Sequence, residues 1–227
     1  MAIYAISDLH LGLSCDKPMD IFGARWENYL ETLQENWCKT IGPEDVVLLP
    51  GDLSWATYID DAEADFQFLH SLPGKKLISK GNHDYWWETL NKLNNWLSAH
   101  GFEDIEFLHN TVRVIGNVAV CAAKGYPDTG QSDEDKKLYN REVSRLQLSL
   151  DMAKKSGAET IFVMLHYPPS SQSDFVRLME EYKVSRCLYG HLHGRHHAMA
   201  TIGEHNGILY HLVSADYLHF KPLLISD

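Results

Sequence analysis

The residues able to do chemistry sit in five short segments: Asp8-Leu9-His10, Gly51-Asp52, Gly81-Asn82-His83-Asp84, His166, and Gly190-His191-Leu192-His193-Gly194. Each alone has an ordinary explanation. Gly-Asp is a common turn, Asp84 could cap a following helix, and a single His is more often a satisfied buried histidine than a ligand. His191 and His193 are stronger, because alternate residues of an extended segment point the same way. Together the segments offer imidazole, carboxylate and amide oxygen but no thiolate, a donor set suited to divalent Mn, Fe or Zn. Six or seven such groups are too many for one four-coordinate ion. They suit two ions sharing a carboxylate at the ~3.5–4 Å separation that serves in-line phosphoryl displacement.

Strands must position these groups, since each segment follows a short apolar run. Ala2 to Ser7, Val46 to Leu49, Lys76 to Ile78, Ile161 to Leu165 and Cys187 to Tyr189 all read as buried strands. Between and after the first three lie helical faces: Trp26, Leu30, Leu33 and Trp37; Ile59, Ala62, Phe66 and Leu69; Trp86, Leu90, Leu93 and Leu97, the last ended by His100-Gly101. This rhythm predicts βαβ units and a largely parallel sheet, an α/β class. Ligands of such sheets bind outside the carboxyl ends of the strands, where all the segments fall. The glycines are expected to let the backbone turn sharply, so that the next side chain projects into the crevice.

From Thr111 the pattern changes. Gly116-Asn117 predicts a hairpin between Thr111 to Ile115 and Val118 to Ala122. Lys124 to Lys137 predicts a mobile loop. Val143, Leu146, Leu150 and Ala153 predict a long helix to Gly157, and Phe175 to Lys183 another. Met199 to Ile225 predicts meandering strands with a turn near Asn206-Gly207. With no repeat, low-complexity tract or linker, residues 1–227 are expected to form a single domain.

Composition narrows the partners. An apolar fraction of 44% in 227 residues allows a packed core. Twenty Lys and Arg against 31 Asp and Glu leave a net charge of −11. That argues against a nucleic-acid backbone or an anionic membrane as the main partner. A small phosphorylated substrate remains compatible, because a metal reverses the local field. Cys15, Cys38, Cys121 and Cys187 are scattered without a CxxC pair, as in reduced thiols. With no long apolar run and no basic-then-apolar amino terminus, the chain is expected to be cytoplasmic, without stable nucleic-acid or membrane binding.

In order and spacing, the segments resemble the calcineurin-like metallophosphoesterases, whose DxH, GD, GNH[DE], later H and GHxH are complete here from Asp8 to His193. The resemblance implies a four-layer α/β/β/α sandwich of two mixed sheets, with the metal site at the carboxyl ends of the strands. It implies Asp8, His10 and His193 as ligands of one divalent ion, Asn82, His166 and His191 as ligands of a second, and Asp52 as the bridge. His83 matches the position that the family uses as general acid. The implied activity is hydrolysis of a phosphomonoester or phosphodiester, of small-molecule or nucleotide type, by a metal-bridging hydroxide.

Departures from the family's branches refine this expectation. Protein serine/threonine phosphatases carry GDxxDRG, whereas this chain reads Gly51-Asp52-Leu53-Ser54-Trp55-Ala56-Thr57. The acidic partner of their catalytic His is replaced by Trp55 and the adjacent phosphate-binding Arg is absent, which argues against protein phosphatase specificity. His83 is left without an evident orienter, since the side chain of Asp84 is expected to point elsewhere. The opening Asp8-Leu9-His10-Leu11-Gly12 is close to that of the repair nucleases and of the lipid-A-precursor pyrophosphatases. The pyrophosphatases usually carry Arg where this chain has His83. A nuclease is the enzymatic alternative, opposed by the net charge. A non-catalytic scaffold, the third reading, would show eroded ligands, and none is eroded. Trp55, Tyr58 and Tyr167 are expected to form a rim platform for an apolar or aromatic leaving group, and Arg195 to contact a phosphate.

Overall fold

Alternation within the strands decides the layering. In β2 (Val46–Pro50), Val47 and Leu49 enter one apolar core while Val46 and Leu48 enter another, so the strand is buried on both faces. In β7 (Thr160–Leu165), Phe162 and Met164 share the core of Val46 and Leu48, and Ile161, Val163 and Leu165 face a third. Three cores separate four layers. The computed structural model describes residues 1–15, 17–127 and 132–227.

The first sheet runs β11-β1-β2-β3-β4. In it, β1 (Ile3–Ala5), β2, β3 (Lys75–Ser79) and β4 (Ile105–Phe107) are parallel, and β11 (Leu223–Ser226) lies antiparallel on β1. The second runs β5-β6-β7-β8-β10-β9. Here β6 (Val118–Ala123), β7, β8 (Arg186–Tyr189) and β10 (Ile208–Leu212) are parallel, with β5 (Val112–Ile115) and β9 (Gly203–His205) as antiparallel edges. Helices α1 (Tyr29–Thr40), α2 (Glu63–Ser71) and α3 (Leu90–His100) cover the first sheet through Leu33, Trp37, Phe66, Leu69, Leu93 and Leu97. Helices α4 (Asp133–Ser156) and α5 (Asp174–Glu181) cover the second through Leu146, Leu150, Phe175 and Met179. The result is the expected α/β/β/α sandwich of two mixed sheets. Among the described residues, no helix is long and apolar enough to cross a membrane.

Several elements differ from the sequence expectation. Trp26 and Trp86, whose spacing predicts first turns of helices, are buried ahead of α1 and α3 instead. Thr89 caps α3 by accepting from the Lys92 N–H at 3.4 Å, so Asp84 is free for another task. The polar run that predicts a loop to Lys137 already contains the start of α4, where Ser132 accepts from the Asp135 N–H at 3.0 Å. Asp133, Glu134 and Asp135 in that first turn suit the positive end of the helix dipole, so the charge that suggests a loop belongs to a helix start. Residues 128–131 of that run lie outside the described residues. The tail is no meander: Asn206 (φ 52°) and Gly207 (φ 79°) turn a β9–β10 hairpin, but β10 is parallel to β8 and β11 crosses to close the open edge of β1. Strand β4, three residues long and preceded by turns, carries too short a pattern to be read from the sequence.

Candidate metal centre

The two sheets meet at the carboxyl ends of β1 and β10. The Ser7 N–H donates to Val213 C=O at 2.7 Å and the Ala215 N–H to Ser7 C=O at 2.9 Å. This join sets the residues after β1, β2 and β3 opposite those after β7, β8 and β10, and brings all seven expected ligands to one edge. The backbone there is strained. Asp8, His10, Asp52 and His191 have φ of 57°, 47°, 53° and 69°, a region costly for side chains other than Gly and tolerated mainly by Asn, Asp and His. The sharp turning expected of the glycines is thus carried largely by the chemical residues themselves. Gly81 and Gly190 serve close approach instead: a Cβ at Gly81 would overlap the carboxylate and amide of Asp52, and one at Gly190 the carboxylate of Asp8.

Two clusters of donors result. In the first, Nε2 of His10 and Nε2 of His193 lie 3.3 Å apart, and Oδ1 of Asp8 is 3.5 Å from His193 Nε2. In the second, Oδ1 of Asn82 stands 2.7 Å from His166 Nε2 and 2.9 Å from His191 Nδ1. Between them, Oδ2 of Asp52 is 4.0 Å from His10 Nε2 and 3.3 Å from His166 Nε2. Asp8 with His10 and His193, and Asp8 with Asp52 and His166, are each close enough to ligate one ion. Asp8 approaches His166 only at Nδ1, 4.0 Å away, and that atom faces the Pro50 carbonyl at 3.1 Å. Asp52 is therefore the carboxylate that reaches both clusters.

The residues fit divalent cations on tautomer grounds. His166 Nδ1–H donates to Pro50 C=O, and His193 Nδ1–H to Asp216 Oδ1 at 2.9 Å. Each neutral ring then aims a bare Nε2 at oxygen or nitrogen lone pairs, an arrangement that demands a positive charge among them. A proton or a metal ion supplies it. Without metal the protons do so. Burial opposes an imidazolium at His166, yet the charge and hydrogen bond of Asp52, with Asp8 and the Pro50 carbonyl, raise it from 6.5 to about 9. Burial likewise opposes one at His193, but Asp216 and Asp8 raise it to about 10. His10 and His191 go the other way, each held down at about 4 chiefly by burial, so their lone pairs are available at neutral pH. Asp8, despite its burial, is pulled well below the usual carboxylate range by His193, His166 and His10.

Around the ligands stands a second set of groups. The carboxylate of Asp84 is fully buried and accepts N–H bonds from Gly81 (2.7 Å), Asp52 (2.9 Å) and Leu53 (2.9 Å), tying the turn after β2 to the turn after β3. Burial and the nearby charge of Asp52 raise it to about 6 in spite of those bonds. Asp216, after β10, fixes His193, accepts from the Gly194 N–H at 3.0 Å and lies 3.1 Å from His197 Nε2. His83 is anchored by its own N–H, which donates to Asp52 Oδ1 at 2.8 Å. Its ring packs at 4.6 Å against Trp55, with the Tyr85 hydroxyl 3.4 Å from Nδ1. Trp55 in turn stacks on His10 at 4.8 Å and 20°.

A family model of the calcineurin-like phosphoesterases matches residues 1–195. The chain belongs to that family. The phosphopantetheinyl hydrolase of Mycobacterium tuberculosis superposes with a TM-score of 0.58 at 14% identity, over 94% of this chain and 88% of its own. The protein TT1561 of Thermus thermophilus superposes at 0.51 with 17% identity, over 84% and 81%. At such identities the likeness is one of fold. Curated proteins give no match.

In this calcineurin-like phosphoesterase a cavity of about 880 Å³ opens onto His10, Asp52, His83, His191 and His193. Of the expected substrate contacts, Trp55 and Arg195 line it. Tyr58 does not: it is 70% exposed ahead of α2 and outside the cavity wall. Nor does Tyr167, whose ring packs against His191 at 4.4 Å and His166 at 5.4 Å, holding the second cluster from behind. Sequence reasoning missed Asp84 as a clamp, Asp216, and the wall formed by Met19 to Trp26. Asp216 carries a usable signal, an Asp just after a strand, but a tail that reads as a meander offers no carboxyl end at this edge.

The protein is expected to lose about 10–100-fold in metal affinity on Asp84→Asn or Asp216→Asn, the usual cost of removing an outer partner of a ligand. Titration of metal into the purified variants, with melting followed in parallel, checks this; unchanged affinity in both would contradict the clamp. Metal binding is also coupled to protons. His166 and His193 are charged below about 9 and 10 in the metal-free protein. Filling both clusters near pH 7.5 should therefore release about two protons per chain, measurable by calorimetry in buffers of different ionisation enthalpy. Because both values are raised in the folded state, the metal-free fold gains stability fully present below the unfolded value of 6.5. That gain is lost as pH rises through 9 to 10.

Proposed function

We propose that this chain hydrolyses phosphoric esters of small molecules with two divalent cations, Mn being well matched to the nitrogen and oxygen donors. Asp8, His10 and His193 would hold one, Asn82, His166 and His191 the other, and Asp52 both. The observation that carries the reading is Oδ2 of Asp52, which faces His10 Nε2 on one side and His166 Nε2 on the other. When bound, the cations supply Lewis acidity, activating a water and offsetting charge on the phosphoryl oxygens.

The chain's own residues do the rest. Asp8 and Asp52 balance the cationic charge. Asn82 contributes a neutral amide oxygen, which leaves the second cluster less anionic than a carboxylate would. His83, on the cavity wall beside Asp52, is placed to deliver a proton to the departing oxygen. Its orienters are the aromatic ring of Trp55 and the hydroxyl of Tyr85, in place of a carboxylate. The charge of −11 favours a small substrate over a nucleic acid in this reading.

Chelation should abolish turnover of aryl and alkyl phosphate esters, and Mn should restore it. His83→Asn should slow alkyl esters by about 10²–10⁴-fold, the range of general acid catalysis, and nitrophenyl esters far less, because nitrophenolate departs unprotonated. Steady-state rates on both ester types, with metal content held constant, test this. Equal losses on both would remove His83 from the acid role, and full activity after chelation would overturn the reading.

A further inference from the structure

The cavity is larger than a phosphoryl group requires. At about 880 Å³ it lies toward the upper end of the range that encloses small-molecule ligands. One wall, from Met19, Phe22, Trp26 and Trp55, is apolar. Trp26 is buried and stands edge-on to His10 and His193 at 5.9 and 6.0 Å, whereas Phe22 is 63% exposed. Two guanidinium groups share this cavity: Arg25 in the 3-10 turn Ala24–Trp26 and Arg195 in the 3-10 turn Gly194–Met199.

These two arginines differ from the others. Of the seven in the chain, Arg113, Arg141, Arg145 and Arg177 pair with carboxylates, and Arg186 lies over the ring of Phe162. Among the described residues, Arg25 and Arg195 have neither kind of partner, although the chain holds 31 acidic residues against 20 basic ones. Both are exposed, both line the cavity that opens onto the candidate ligands, and they come from opposite halves of the sequence. A planar guanidinium left without a carboxylate at a cavity wall is a ready receptor for a phosphate or carboxylate of a ligand.

We propose that this cavity takes phosphoesters whose leaving group joins an apolar or aromatic body to a second anionic group, held by Arg25 and Arg195. The inference rests on the phosphoesterase reading above. The physical need is plain: Asp8, Asp52 and Asp216 and the net negative charge repel a second anion, and the charge of bound cations is committed to the reacting phosphoryl group. Two guanidinium groups on the cavity wall offset that repulsion, while the aromatic wall takes the body of the leaving group.

Adenosine 3′,5′-bisphosphate and adenosine 5′-monophosphate differ by one phosphate and make a matched pair. Binding of each to the Mn-loaded protein, read by rapid mixing ahead of turnover, can be followed through tryptophan fluorescence. The bisphosphate is expected to bind about 10- to 100-fold more tightly, the range for hydrogen bonds to charged groups. The double variant Arg25→Ala with Arg195→Ala is expected to bring the two affinities together. Arg113→Ala with Arg177→Ala, which removes the same charge elsewhere, is expected to keep them apart. Equal affinities in the unaltered protein, a preference that survives the first double variant, or one lost equally in both variants would overturn the proposal. Turnover with Mn is read separately. A binding preference with no ester hydrolysed would overturn the phosphoesterase reading and leave the anion subsite standing; hydrolysis of both nucleotides without a preference would do the reverse.

Discussion

Carboxylates and imidazoles gathered out of water repel and desolvate one another unless positive charge is placed among them, and at this sheet edge that requirement converges on Asp52. One of its oxygens is taken by the His83 N–H; the other faces both nitrogen clusters. Its backbone is held in a strained conformation by Asp84, and its carboxylate fits only because Gly81 has no side chain. Many features elsewhere follow from keeping that carboxylate in place. The parallel strands aim their ends at it, the Ser7–Val213 join sets the opposite cluster against it, and Asp216 and Pro50 fix the tautomers of the rings that share its field.

The candidate ligands and the cavity wall come from different parts of the chain. The candidate ligands come from turns at strand ends, tied by the buried carboxylates of Asp84 and Asp216. The cavity wall comes from irregular segments, Met19 to Trp26 and Gly194 to Met199, which carry exposed apolar and cationic side chains. Trp55 belongs to both. It occupies the place where related protein phosphatases carry an acidic residue, stacks on His10, and packs against His83. An aromatic ring there meets the histidine by contact instead of by charge.

Much of this is legible in the sequence, for identifiable reasons. Period-two burial and short apolar runs expose β1, β2, β3, β7 and β8, and Gly101 and Gly157 mark helix ends because both adopt a left-handed conformation that favours Gly. The candidate ligands are legible because metal chemistry restricts residue type and strand ends restrict position. Asp84 and Asp216 are not, since an outer carboxylate is defined by what it accepts from, and sequence spacing says nothing about partners such as Asp52 and His193. The four-layer arrangement comes from family resemblance, because alternation shows that a strand is buried on two faces but not against what. Tyr58 and Tyr167 fall away from the cavity rim because adjacency to a ligand along the chain is not adjacency to the cavity.

The proposed function rests on one carboxylate, Asp52, serving two metal ions. Electron paramagnetic resonance of the metal-free protein titrated with Mn tests it directly. If Asp52 is shared, a second equivalent converts the spectrum of isolated ions into one of an exchange-coupled pair, as expected for ions ~3.5–4 Å apart with a shared ligand. Saturation at one equivalent, or two equivalents that bind without any coupling, would contradict it.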